Sequence, residues 1–266
     1  MSNSFVLRKD KKHMKCALIT GASSGIGAEF VKQCAESKEF DRIIVIARRA
    51  ERLQELASLY GEIIEPLVLD LSKEESFEQI KDKLAGEDLK LSLVVAAAGL
   101  GKYGSFPVLS QKNCETMVNL NVLGLIRTVR ATLDSIISGG RIILMGSQSS
   151  FQPLPHFNIY ASTKAFVVHF GRALNIELKN RKISVTTVCP GYVESEFFTV
   201  AAQSEDPDAC TNFNPMYKAC DVVKRALKDS KKGKDMSVYG ANVKFMRLLC
   251  KLLPHSLVMK VWLKIK

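Results

Sequence analysis

Apolar residues along the chain gather in short unbroken runs separated by longer amphipathic stretches. CALIT (16–20), RIIVIA (42–47), IIEPLVL (63–69), LSLVVAA (91–97), RIILMG (141–146), ISVTTVC (183–189) and MSVYG (236–240) read as strands. They are continuous rather than alternating, so both faces of each strand are expected to be covered, as in parallel sheets with helical crossovers. The stretches 25–37, 49–59, 73–84, 110–137, 158–180 and 218–230 predict the helices between them. Strand and helix alternate throughout, which predicts an α/β fold: a single doubly wound domain at 14–240, with a parallel seven-stranded sheet, helices on both faces, and ligand at the carboxyl ends of the strands. A basic arm at 1–13 is expected to be disordered. A basic amphipathic helical tail is expected over 241–266.

The first strand runs straight into Thr20-Gly21-Ala22-Ser23-Ser24-Gly25-Ile26-Gly27 and then a helix. Gly21 allows the tight turn, Gly25 lets the backbone approach a pyrophosphate, and Gly27 permits close helix–sheet packing, while the helix N-terminus offers free N–H groups. Placed between strand and helix, this loop predicts a Rossmann-type dinucleotide site built on Gly21, Ser23, Ser24, Gly25, Ile26 and Gly27. The second strand ends in Arg48-Arg49 with no carboxylate. Two guanidiniums there suit a 2′-phosphate, so NADP(H) is expected over NAD(H); the alternative is that both arginines open a solvated helix. After the third strand, Asp70-Leu71 stands where a carboxylate reaches an adenine, with a helix cap as the alternative role.

Tyr160 and Lys164 lie four apart on one face of a predicted helix. An ammonium near a phenol stabilises the phenolate, which a general acid/base acting on an alcohol requires. Ser147 ends the fifth strand thirteen residues earlier, at the ligand-binding mouth, and Asn121 lies 39 residues before Tyr160 in the long fourth crossover.

With these residues in order, the chain resembles the short-chain dehydrogenase/reductase family over about residues 15–240. The match rests on the glycine pattern of 20–27, Asn121, Ser147, Tyr160 with Lys164, and the Pro190-Gly191 turn. The resemblance implies that Tyr160 is the proton donor or acceptor, that Ser147 orients the substrate oxygen, and that Lys164 tunes Tyr160 and holds the nicotinamide ribose. It further implies that Asn121 keeps a helix kink and a water for proton relay. Pro190, Gly191, Val193 and Ser195 would flank the nicotinamide, Ser195 standing where the family usually has Thr. One departure stands out: the family's Asn-Asn-Ala-Gly after the fourth strand is Ala96-Ala97-Ala98-Gly99 here. The Asn that ties the central sheet together is lost, though Ala98 and Gly99 still give a small-residue floor.

Composition narrows the remaining classes. The 266 residues are 47% hydrophobic and 24% charged, ordinary globular usage. No run of 18 uncharged apolar residues and no signal-peptide core occurs, which predicts a cytoplasmic protein. Seven cysteines without a C-x-x-C suggest neither a disulfide framework nor a metal site. The net charge of +11 sits in the ends: residues 1–15 carry net +4 and 221–266 net +9, leaving the body near −2. Nucleic acid is therefore not an expected partner.

Specificity is expected from the segments after the strand ends, with Tyr103, Phe106, Phe151, Leu154, Phe157, Phe197, Phe198, Phe213 and Met216 forming an apolar lining. The alternative is that half of them merely pack the loops. His156 reads either as a substrate contact or as a solvated loop residue. The tail sets Phe245, Leu248, Leu249, Leu252 and Leu253 among Lys244, Arg247 and Lys251. It reads as helices packed over the cleft or a partner subunit, or as a helix on an anionic membrane surface, which would make the protein peripheral. The expected function is NADP(H)-dependent interconversion of a secondary alcohol and a ketone on a bulky apolar small molecule such as a hydroxysteroid or lipid, by a homo-oligomer, dimer or tetramer. A 3-oxoacyl reductase and a non-catalytic nucleotide-sensing or membrane-attached scaffold are the rival readings; the intact Ser147, Tyr160 and Lys164 argue against the latter.

Overall fold

The computed structural model describes residues 14–265, so the arm expected at 1–13 and the terminal Lys266 lie outside the described residues. The chain runs β1 (Cys16–Thr20), α1 (Gly25–Glu36), β2 (Arg42–Ala47), α2 (Ala50–Tyr60), β3 (Ile64–Val68), α3 (Glu75–Gly86), β4 (Leu91–Ala96), α4 (Gln111–Val118), α5 (Leu125–Leu133), β5 (Ile136–Met145) and α6 (Asn158–Glu177). It continues through β6 (Ser184–Val188), β7 (Tyr192–Val193), α7 (Phe197–Ala202), β8 (Met216–Tyr217), α8 (Ala219–Lys231), β9 (Met236–Ser237), α9 (Ala241–Leu252) and α10 (His255–Ile265). Seven strands form one parallel sheet in the order β3-β2-β1-β4-β5-β6-β9. A short parallel ladder, β7 with β8, closes off the segment that carries α7.

The continuous apolar runs are explained by burial on both faces. Alternate residues of β1 and β2 point opposite ways: Ala17, Ile19, Ile43 and Val45 pack with Phe30, Val31, Leu53 and Val222 of α1, α2 and α8. Leu18, Ile44 and Ile46 pack with Phe77, Leu125 and Val167 of α3, α5 and α6. Each run is thus one strand read by two cores. Pro66 falls in β3, the edge strand, where its missing N–H is tolerated.

The fourth crossover, expected as one long helix over 110–137 with the kink at Asn121 that the resemblance implies, is broken at that residue. A π-helical turn at Asn119–Gly124 separates α4 from α5, and the helix ends at Leu133 because Ile136 pairs with Leu91 and is buried in the sheet core. A Cβ on Gly124 would stand 2.8 Å from the Leu71 carbonyl oxygen, so glycine lets this turn press against the loop after β3. The seventh strand is shorter than the expected 236–240, since Gly240, at φ +92, turns the chain into α9.

Thr20 ties β1 to the chain at the end of β4. Its buried hydroxyl accepts the N–H of Ala97 at 3.0 Å and of Ala98 at 3.1 Å, and donates to the Val95 carbonyl at 3.4 Å. The ends of β1 and β4 are thereby held together beneath the glycine turn. Thr20→Val keeps the shape but strands two donors, so it should lower unfolding free energy by about 2 kcal/mol. Thr20→Ser should recover most of that loss. Denaturant titration of the three proteins checks it; equal stability of wild type and Thr20→Val would show that the tie is idle.

Candidate active site

The carboxyl ends of the strands open on one cleft of about 390 Å³, centred where the winding reverses between β1 and β4. Gly21 and residues 23–27 line it after β1, Arg48 and Arg49 after β2, Asp70 and Leu71 after β3, and Ala98 and Gly99 after β4. Ser147 follows β5, Tyr160 and Lys164 project from α6, and Pro190, Gly191, Val193 and Ser195 follow β6. Every residue expected to touch a cofactor therefore meets in one place.

The turn after β1 is shaped for an anion. Gly21 has φ +66, and a Cβ there would come within 2.8 Å of the Ala97 and Ala98 backbone. A Cβ on Gly27 would overlap the Gly21 carbonyl, so α1 starts directly against the turn. Ser24, its N-cap, is extended and makes no side-chain cap, and the first turn carries no acidic residue. The N–H groups and the positive end of a three-turn helix are left to a phosphate.

Beyond the turn, Arg49 donates to the Ser23 hydroxyl at 3.2 Å, to the Ser23 carbonyl at 3.1 Å and to Glu196 at 2.9 Å. Glu196, which drew no attention in the sequence, thus reaches across from the α7 side of the cleft. Asp70 accepts from the Ser72 N–H at 3.0 Å and hydroxyl at 2.8 Å. It closes that turn instead of capping α3, whose N-cap is Glu74. Burial raises its pKa, but the Ser72 bonds and the Arg48 charge outweigh it and leave the carboxyl below its ordinary value.

At the other end, Tyr160 and Lys164 are buried with Ser147. Lys164 Nζ lies 5.6 Å from the Tyr160 ring centroid and donates to the Met145 carbonyl at 2.8 Å. Burial pushes the Tyr160 hydroxyl up to about 12, while its hydrogen bond with Ser147 acts the other way. Burial also pushes Lys164 down to about 8. Desolvation outweighs the Ser147 bond, so the phenol stands above its ordinary value instead of below it, and Tyr160 carries its proton at neutral pH.

Asn121 stands behind the cleft wall within the π-helical turn. Its amide accepts the Leu100 N–H at 2.9 Å and donates to the Leu100 carbonyl at 2.8 Å and the Thr163 hydroxyl at 3.1 Å. A Cβ on Gly99 would stand 3.0 Å from the Asn121 oxygen and 3.3 Å from Lys164 Nζ. Asn121 therefore fixes the chain after β4 at the point where it passes Lys164.

The expected apolar lining divides. Phe157, Phe197 and Phe198 face the cleft, with Tyr160 stacked on Phe157 at 4.3 Å and 5.4 Å from Phe197. Tyr103, Leu154 and Phe213 pack in the cluster around Phe157 and Tyr160. Phe106 is 58% exposed and Met216 is exposed as well. Phe151 turns to a different cluster, under Arg247 of α9. His156 lies outside the lining, its Nδ1 3.9 Å from Asp206. Lys102, unremarked in the sequence, donates to the Val200 carbonyl at 2.7 Å and the Gln203 carbonyl at 2.5 Å, holding the end of α7 over the site.

Residues 15–206 match the family model described as short chain dehydrogenase. The serine 3-dehydrogenase of Agrobacterium fabrum is 32% identical over 186 residues, 69% of this chain and 74% of the relative. The NADP-dependent 3-hydroxy acid dehydrogenase of Escherichia coli K12 is 32% identical over 197 residues, 72% of this chain and 78% of the relative. Among solved structures, a serine dehydrogenase in its closed form with NADP+ aligns with a TM-score of 0.76 at 27% identity, covering 84% of this chain and 94% of that one. A short-chain dehydrogenase from Sphingobium yanoikuyae in complex with NADPH gives 0.75 at 26% identity, covering 88% and 92%. A cleft that gathers a glycine turn, Ser147, Tyr160 and Lys164 on this sheet, together with these matches, makes the chain a member of the short-chain dehydrogenase/reductase family of oxidoreductases.

Proposed function

We propose that the protein interconverts a secondary alcohol and a ketone with NADP(H), on a bulky apolar substrate. The observation that carries the substrate reading is the wall of Phe157, Phe197 and Phe198 beside Tyr160. Among the described residues the cations that line the cleft are Arg48, Arg49 and Lys164. The two arginines follow β2, and Lys164 is committed to the Met145 carbonyl. A substrate carboxylate, as the names of the serine and 3-hydroxy acid relatives imply for those proteins, would find aromatic rings here and no guanidinium.

The residues present fit a dinucleotide phosphate: the uncapped start of α1 suits the pyrophosphate and the Arg48/Arg49 pair a 2′-phosphate. When bound, NADP(H) supplies or accepts a hydride. Tyr160 holds a proton at its hydroxyl at neutral pH and donates it to a carbonyl oxygen. Ser147 shares a hydrogen bond with that hydroxyl and orients the same oxygen. Lys164 provides a positive charge that stabilises the phenolate left behind, and the aromatic wall excludes water.

Turnover followed by NADPH absorbance should favour bulky cyclic ketones over 3-hydroxy acids and 3-oxoacyl thioesters. Tyr160→Phe should lower kcat by about 10² or more, with NADPH affinity retained. Activity confined to carboxylate substrates would overturn the substrate reading. Unchanged turnover in the Phe variant would overturn the mechanism.

Arg48→Ala/Arg49→Ala should weaken NADPH about ten- to a hundredfold and leave NADH nearly unchanged. Glu196→Gln should act in the opposite direction, since Glu196 occupies the Arg49 guanidinium that a phosphate would engage. Nicotinamide fluorescence titrations of wild type and both variants with each cofactor measure all six constants. A wild type that binds both cofactors equally would contradict the choice of NADP(H).

A further inference from the structure

The tail beyond β9 has two faces of different character. Inward, Val243, Cys250, Val258 and Trp262 are buried. Trp262 donates from its indole N–H to the Pro155 carbonyl at 2.9 Å and packs in the cluster that holds Phe157 and Tyr160. Trp262 therefore ties the tail to the aromatic cluster that holds Tyr160, though no tail residue lines the cleft itself. Outward, Phe245, Leu248 and Leu252 are 59%, 52% and 69% exposed. Spaced i, i+3, i+7, they form one stripe on α9. Leu257, Val261 and Ile265, spaced i, i+4, i+8, form the corresponding exposed stripe on α10.

The charges follow the same geometry in both helices. Lys244, Arg247 and Lys251 each immediately precede a residue of the α9 stripe, and Lys260 and Lys264 each immediately precede one of the α10 stripe. One position is about 100° around the helix axis, so the cations run along the same edge of each apolar stripe. The sequence from 241 to 266 contains no Asp or Glu. Among the described residues none of these five cations forms an ion pair, whereas Arg225, Lys231 and Lys234 on the neighbouring segment all do.

We propose that this face rests on an anionic lipid bilayer, with α9 and α10 lying in the interface plane. Exposed apolar stripes of this kind are normally covered in use. A second copy of the chain in a two-fold contact would set the patch against itself, bringing cations toward cations with no carboxylate in the segment to offset them. Anionic headgroups over an apolar interior satisfy the rings and the charges together. No described helix is long and apolar enough to cross a membrane, so the contact is with the surface. Because Trp262 backs onto the aromatic cluster, the same face would set the substrate end beside the bilayer; that link to an apolar substrate rests on the proposed function, while binding itself does not.

Sedimentation of the full chain with phosphatidylglycerol/phosphatidylcholine vesicles tests this without any substrate. Binding should be at least about tenfold stronger than to pure phosphatidylcholine and should fall in high salt. The exposed triple variant Phe245→Glu/Leu248→Glu/Leu252→Glu should stay in the supernatant at an unchanged melting temperature. Lys244→Ala/Lys251→Ala/Lys260→Ala should lose the preference for anionic lipid. A wild type that does not sediment with the anionic vesicles overturns the proposal. So does light scattering that shows the Glu variant losing an oligomer while vesicle binding is absent, which would assign the face to a second copy.

Discussion

A lysine ammonium held out of water is the constraint around which this site is arranged. Lys164 is buried, with the Met145 carbonyl at the end of β5 as its hydrogen-bond acceptor. Placing it there requires the sheet to deliver a strand end to α6, and glycine at position 99 gives it room, since a Cβ there would stand 3.0 Å from the Asn121 oxygen and 3.3 Å from Lys164 Nζ. Asn121 in turn grips the backbone of Leu100 from a π-helical turn that an ordinary α-helix would not supply. The proton on Tyr160 and the depressed pKa of Lys164 then have one shared cause, desolvation. A phenol kept neutral beside an amine that can still be charged at neutral pH is prepared to give up its proton when a carbonyl oxygen arrives.

Much of this was legible in the sequence because it depends on local pattern. Apolar runs such as 42–47 announce strands covered on both sides, and the 20–27 turn can be read from its glycines and its place between strand and helix. The residues assigned to the cleft converge because each directly follows a strand end or shares a face of α6. What sequence could not supply depends on contacts between distant segments. Thr20 was read only as part of the turn, yet its hydroxyl stitches β1 to the residues after β4. The Arg49–Glu196 pair joins positions 147 apart in the chain. The π-helical turn leaves no mark in hydrophobic period, so the pattern over 110–137 reads as one helix and only the family resemblance points to the kink at Asn121. The aromatic lining was over-read for a similar reason: a large apolar side chain in a loop signals burial somewhere, and Phe106 and Phe151 show that it does not say where.

The two ends of the cleft obey different physics. The turn after β1 offers backbone N–H groups and guanidiniums to phosphate, and its contacts are partly exposed, as at Arg49. The other end is aromatic, lined by Phe157, Phe197 and Phe198, and Trp262 of the tail packs in the cluster that holds Phe157 and Tyr160. Lys102 secures α7 through the carbonyls of Val200 and Gln203, so the roof is fastened by few bonds that cross between segments. The tail packs its inner face on the body through Val243, Cys250, Val258 and Trp262 and leaves an apolar, cationic face outward.

Lys164 is kept as a buried cation at the expense of stability. Below pH of about 8 the lysine is charged in folded and unfolded chains, and burial of that charge opposes folding. Between about 8 and its ordinary value of 10.5 the unfolded chain binds a proton that the folded chain does not, so stability should rise with pH. The full difference is on the order of 3 kcal/mol, reduced by about 1 kcal/mol for the bond to Met145. Measuring unfolding free energy for wild type and Lys164→Met from pH 6 to 11, without cofactor, tests this directly. Lys164→Met should be more stable than wild type by about 2 kcal/mol at pH 7, with the gap closing as the pH passes from about 8 to 10.5. A variant that is less stable than wild type at pH 7 would contradict it.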